Sequence, residues 1–205
     1  MKGLILKDLM GLKKFSKNYL IFILFYAVIG LFSNMYALFS GFIMVFAFML
    51  PITAVSFDER SKWDSYALTM PISRKDIVLS RYLLGLIFAG AAVVICFVYT
   101  LITSGENFGT SLLLSGAFFL VGMLFFSIIF PILLKVGVEK GRLTMIIIFL
   151  LPTVIIMTLS KIGFDFSKPS EQTLMTIAWI APFVVIAIFV ASIFLSFRIY
   201  SKKEM

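Results

Sequence analysis

Forty consecutive residues, Asn18 to Phe57, carry no charged side chain. A water-facing helix needs a polar face along its whole length, and this stretch has none. A membrane-crossing helix needs about 20 predominantly apolar residues. The run is therefore long enough for two crossings, with Ser33-Asn34 near its middle as the turn. The rest of the chain repeats the pattern. Only 14% of the 205 residues are charged, against about 25% in an ordinary soluble domain. The expected fold class is all-α, a polytopic membrane protein with six transmembrane helices in a single domain over residues 1–205. The spans are read at about 19–33, 36–56, 82–104, 110–134, 143–159 and 174–197.

The charges give the orientation. Six spans leave the segment to Asn18, the loop Asp58–Arg81, the stretch Lys135–Arg142 and the tail from Arg198 on one side. Those regions hold sixteen of the eighteen Lys and Arg. The opposite side carries only Lys161 and Lys168. The positive-inside rule then makes both termini cytoplasmic. The formal charge of +8 is a topology signal, with the lipid bilayer as partner and no nucleic acid. The first apolar run is too long, and lacks the small-residue cleavage site, for a cleaved signal peptide.

Before the first span, Ile5, Leu9 and Leu12 recur at helical spacing while Lys7, Lys14 and Lys17 fall largely opposite. Residues 1–17 are expected to form an interfacial helix, apolar side in the acyl region and Lys near lipid phosphates. Within the segment 58–72, Trp63, Tyr66, Ala67 and Met70 share one face of a short helix. Pro71 stops that helix, because a proline disfavours helical geometry at the residue before it. Ser73 and Asp76 then form a capping box, with Asp in place of Glu and with Ile72 and Ile77 as the flanking staple. The short helix hangs from the base of span three. Its aromatic face fits a partner's groove or a rest on lipid headgroups.

The loop also carries a family resemblance. Asp58-Glu59, Trp63, Leu68 before Pro71, Ser73-Arg74 and Arg81 entering the next span resemble the membrane subunits of ABC-2-type ATP-binding-cassette exporters. The likeness is to small bacterial permeases without a fused ATPase, and among those to exporters of amphipathic peptides such as phenol-soluble modulins. The resemblance implies two permease subunits in the bacterial plasma membrane above two cytoplasmic ATPase subunits. It implies that Asp58 and Glu59 open an ATPase-coupling segment continued by Lys62, that Trp63, Tyr66 and Met70 dock, and that Pro71 and Arg74 form the elbow into span three. Larger members have sizeable extracellular elements before the last span, for which only Ser160–Thr173 is available here.

The chemistry that is missing narrows the function. With no histidine, Ser-His-Asp triads, His-ligated zinc and histidine proton relays are excluded. The lone Cys96 forms no intramolecular disulfide. No G-x-x-x-x-G-K-[ST] loop is present to cradle phosphates, so no cofactor is expected on this chain and ATP with magnesium would be used by a partner ATPase. No catalytic or metal site is read. No Asp, Glu, Lys or Arg lies deep in a span, which argues against proton coupling. The 24 Phe and 11 Met suit an apolar or amphipathic cargo of variable shape. Pro51, Pro131, Pro152 and Pro182 fall within spans and are candidate hinges. Gly85, Ala89, Gly116 and Gly122 are candidate points of close helix approach. The residues alone also fit a non-transporting membrane scaffold or binding subunit, and a standalone channel or flippase.

Overall fold

The computed structural model describes residues 2–33, 36–67, 69–103, 107–138, 140–141, 144, 146–147, 150, 158 and 171–202. Six helices are bounded within them: α1 (Lys2–Ser33), α2 (Tyr36–Arg60), the one-turn α3 (Trp63–Ala67), α4 (Arg74–Thr103), α5 (Phe108–Val136) and α6 (Glu171–Ser201); the described residues 138, 140–141, 144, 146–147, 150 and 158 are helical as well. No strand occurs among the described residues. Lipid offers no partner for a free backbone N–H or C=O, so helices are the form such apolar runs must take.

Among the described residues, four helices are long and apolar enough to cross a bilayer, within α2, α4, α5 and α6. α1 bends by 69° between its arms Gly3–Lys13 and Lys17–Phe32, and taken as one span it makes a fifth. The expected span at 143–159, with its candidate hinge Pro152, falls almost entirely outside the described residues. α4 is central, packing on α1, α2, α5 and α6, while α5 and α6 share the most extensive contact. Large apolar side chains such as Phe32, Trp179 and Phe183 point outward, as expected of a surface solvated by acyl chains.

Small residues set the helix spacing at two crossings. A Cβ on Gly85 would stand 3.0 Å from the Phe126 ring, and one on Gly122 would stand within 2.5 Å of the Phe48 ring. Both lie where α2, α4 and α5 converge around Phe48, Phe126 and Pro51. Ala89 is fully buried. Gly116 has no neighbour within 4 Å of its would-be Cβ. α2, α5 and α6 continue as helix through Pro51, Pro131 and Pro182.

The start of α1, the end of α2, α3, the start of α4 and the ends of α5 and α6 gather at one end of the bundle, as the contacts of Lys7, Glu59, Arg74 and Arg81 show. The described parts of the four basic regions of the sequence thus share one end.

Candidate functional site

The junction at this basic end is built from a reversal of the chain. α2 winds down through Ser61 N–H to the Phe57 carbonyl (3.0 Å) and then tightens, with Lys62 N–H reaching the Glu59 carbonyl (3.2 Å). Lys62 takes φ 51°, a left-handed conformation uncommon for a side chain with a Cβ. That single residue turns the chain into α3. α3 ends in a turn closed by Thr69 N–H to Tyr66 and Met70 N–H to Ala67. Ser73 and Asp76 then cap α4 reciprocally: the Ser73 hydroxyl donates to Asp76 at 2.7 Å, and Asp76 N–H donates back to Ser73 Oγ at 3.1 Å. Ile77 is buried, and Ile72 packs against the same cluster, which completes the staple.

Arg81 is the centre of the junction. It lies two turns into α4, only 2% exposed. Its Nη2 donates to Asp58 Oδ2 at 3.1 Å and to Asp64 Oδ1 at 2.6 Å. The other oxygen of Asp58 accepts from Lys7 Nζ at 2.5 Å, and Lys7 also pairs with Asp8 at 2.9 Å. Lys7 Nζ stands 4.6 Å from the centre of the Trp63 ring, and the Arg81 guanidinium 5.9 Å from that of Tyr200. α1, α2, α3 and α4 are thereby joined through buried charge. A lone ion here would be expelled, since burying an uncompensated charge costs several kcal/mol. The cluster sets two cations against three carboxylates, and burial raises the Asp8 carboxyl above its ordinary range despite the adjacent Lys7.

The candidate coupling residues divide around this centre. Asp58 is part of it. Glu59 turns the other way and accepts the Val138 N–H at 2.8 Å, beside Gly137, whose φ of 87° ends α5. Lys62 is exposed at the reversal. Trp63 is half-buried against the core, and Ala67 on the same face is fully enclosed. Tyr66 is 58% exposed, its ring centre 5.6 Å from that of Trp63. Met70 is half-buried and Pro71 exposed. Arg74 reaches α6, donating to the Ser201 carbonyl at 2.6 Å; a helix leaves its last carbonyls without backbone donors, and a cation there satisfies them. The candidate hinges Pro51, Pro131 and Pro182 lie apart from this junction, inside α2, α5 and α6.

Spacing points to the aromatic face and not to the electrostatic core. In the sequence pattern Arg81 is only the basic residue entering span three and Lys7 only an interfacial cation, while Asp8, Asp64 and Tyr200 carry no assigned role. The available signal was Arg81 beside Tyr82 at the mouth of a long apolar run, a place that demands a counterion. Asp58 and Asp64 are the acidic residues a loop upstream that meet that demand.

A second feature lies between α2 and α5, a half-open cleft of about 370 Å³ with an entirely apolar lining that includes Phe42, Met44, Phe48, Met49 and Phe125. The family model described as "ABC-2 family transporter protein" matches residues 3–201. No curated protein and no solved structure matches the chain.

Proposed function

We propose an export role for this chain, which belongs to the ABC-2 transporter family and is thereby a membrane-spanning permease subunit of an ABC transporter. On this reading two such subunits enclose a path for an apolar or amphipathic cargo, with peptides the favoured class. A partner ATPase supplies the energy, as membership of the family implies. The basic end is cytoplasmic, with α3 as the coupling helix and the first arm of α1 in the membrane interface. The 69° bend of α1 supports that last assignment. Six crossings are supported by the run of the helices, since α5 and α6 both end at the basic end.

The observation that carries the proposal is the attachment of α3. Asp64 on α3 and Asp58 on α2 share Arg81 of α4, and Lys7 of α1 covers Trp63. A push on α3 from the ATPase would be felt directly at the bases of three long helices. A loop held only by its backbone would absorb the same displacement. The apolar cleft between α2 and α5 supports the cargo class, offering shape-tolerant Phe and Met surface and no fixed charge.

Co-purification tests the docking assignment. Tyr66→Asp places a charge on the exposed part of α3 and is expected to weaken association with the ATPase at least tenfold while membrane insertion stays normal. Trp63→Ala is expected to weaken it too, with some loss of stability because Trp63 also packs inward. Full ATPase recovery with Tyr66→Asp would remove α3 from the interface. Stimulation of ATP hydrolysis by amphipathic peptides in the reconstituted complex, and none by hydrophilic ones, tests the cargo.

A further inference from the structure

We infer that the groove between the basic-end termini of α5 and α6 is a binding site for an anionic phospholipid of the adjacent leaflet. The groove has a volume of about 530 Å³, within the range of ligand sites. Its floor is apolar, formed by residues such as Pro131, Leu195 and Ile199, and its rim carries Lys135, Arg198 and Lys202. Leu195, Arg198, Ile199 and Lys202 follow one another at i, i+3, i+4 and i+7, so one face of α6 passes from apolar to cationic as it leaves the membrane. Lys135 in the last turn of α5 completes the rim.

Three cations facing one groove repel each other unless an anion joins them. Among the described residues none of the three pairs with a carboxylate. All three are exposed. Charge complementarity therefore asks for an anion, and the apolar floor asks for one attached to hydrocarbon. A phospholipid with one or two phosphodiester groups supplies both: its phosphate sits among Lys135, Arg198 and Lys202, and an acyl chain runs over Pro131 and Leu195 toward the bilayer centre. Basic pockets between membrane helices at the cytoplasmic face hold anionic headgroups for this reason. A soluble acidic peptide or free phosphate would leave the floor wet. The site is separate from the Arg81 junction and stands whatever the cargo is.

Native mass spectrometry of the full-length chain, released from nanodiscs of mixed phosphatidylglycerol and phosphatidylcholine, tests it. The wild type is expected to retain phosphatidylglycerol over phosphatidylcholine by at least tenfold, and cardiolipin at least as well. Each cation near an anionic lipid is worth about fivefold in affinity, so Arg198→Gln is expected to lower retention about fivefold. The triple change Lys135→Gln, Arg198→Gln, Lys202→Gln is expected to abolish the preference. Lys135→Arg with Lys202→Arg keeps the charge and is expected to keep the preference, which separates charge from any effect on folding or insertion. Equal phosphatidylglycerol retention by wild type and the triple variant overturns the site. So does displacement of the lipid by inorganic phosphate, and so does an unchanged lipid preference accompanied by loss of ATPase association, which would make the groove a protein interface.

Discussion

The Ser192 hydroxyl donates to the Ser127 carbonyl oxygen at 2.6 Å, and that carbonyl is the one Pro131 deprives of its helical donor. A proline has no N–H to offer the residue four positions back. In lipid no water replaces the lost bond, so a hydroxyl from the neighbouring helix does. The relay continues. The Ser192 proton is committed to Ser127, so the Tyr82 hydroxyl donates to Ser192 at 2.7 Å and accepts from Ser196 at 2.8 Å. α4, α5 and α6 are thus tied by a chain of hydrogen bonds ending at the proline.

This arrangement predicts a coupling between two positions on different helices. Ser192→Ala is expected to destabilise the protein by about 0.6–1.7 kcal/mol, the range for hydrogen bonds between membrane helices. In a Pro131→Ala background the Ser127 carbonyl regains its backbone donor, and the same serine change is expected to cost clearly less. Unfolding of all four proteins in detergent measures the cycle. Equal costs in both backgrounds would mean that Ser192 does not compensate for the proline.

The Arg81 junction predicts an asymmetric response to mutation. Arg81→Met strands Asp64 and removes one of the two cations on Asp58, and breaking a buried pair from one side costs about 3–5 kcal/mol. Arg81→Met with Asp64→Asn is expected to recover part of that loss, because Asp58 still holds Lys7. Arg81→Lys keeps the charge but loses the planar guanidinium beside the Tyr200 ring, and is expected to fall short of wild type. Size-exclusion profiles and unfolding midpoints read all three. A single change as damaging as the double one, or less, would show that the network is not a unit.

How much of this was legible in the sequence depended on range. Apolar runs and local chemistry reported the long apolar helices and the Ser73–Asp76 cap, because each is decided within a few residues; the short helix ends at Ala67, ahead of the Pro71 expected to stop it. The basic regions gathered at one end for the same kind of reason, since charge against lipid is sorted span by span. The partners of Arg81 lie 23 and 17 positions away on Asp58 and Asp64, and that of Asp58 lies 51 positions away on Lys7. Such pairings exist only once the helices have packed. Trp63, Tyr66, Ala67 and Met70 are spaced for one helical face, yet α3 ends at Ala67, and Ala67 and much of Trp63 are covered by the bundle while Tyr66 stays open. Spacing gives a face and not what covers it.

Two glycines of α5 are predicted to differ although the sequence treats them alike. A Cβ at Gly122 would stand within 2.5 Å of Phe48, whose ring is already held by Phe126 at 5.2 Å between centres. Gly122→Val is expected to cost about 1–3 kcal/mol, as overpacking of a filled core does. Gly116 faces open space, and Gly116→Ala is expected to leave the stability of the isolated chain unchanged. Unfolding midpoints in detergent decide the matter, and equal sensitivity at the two sites would contradict the α2–α5 packing.

The only cysteine offers a clean test of orientation. Cys96 is fully buried, its thiol turned to the Ser40 carbonyl at 3.7 Å. A membrane-impermeant maleimide needs an accessible thiolate, so the wild-type chain is expected to remain unlabelled and to serve as its own background. Lys161→Cys, which six spans would put on the side carrying two of the eighteen basic residues, is expected to label in intact cells. Lys75→Cys, exposed in the first turn of α4, is expected to label only after the membrane is opened. The cation imbalance sets this order, because moving Lys and Arg across a bilayer during insertion is what the positive-inside rule resists. Labelling of Lys75→Cys in intact cells would reverse the orientation and put α3 on the wrong side to meet an ATPase.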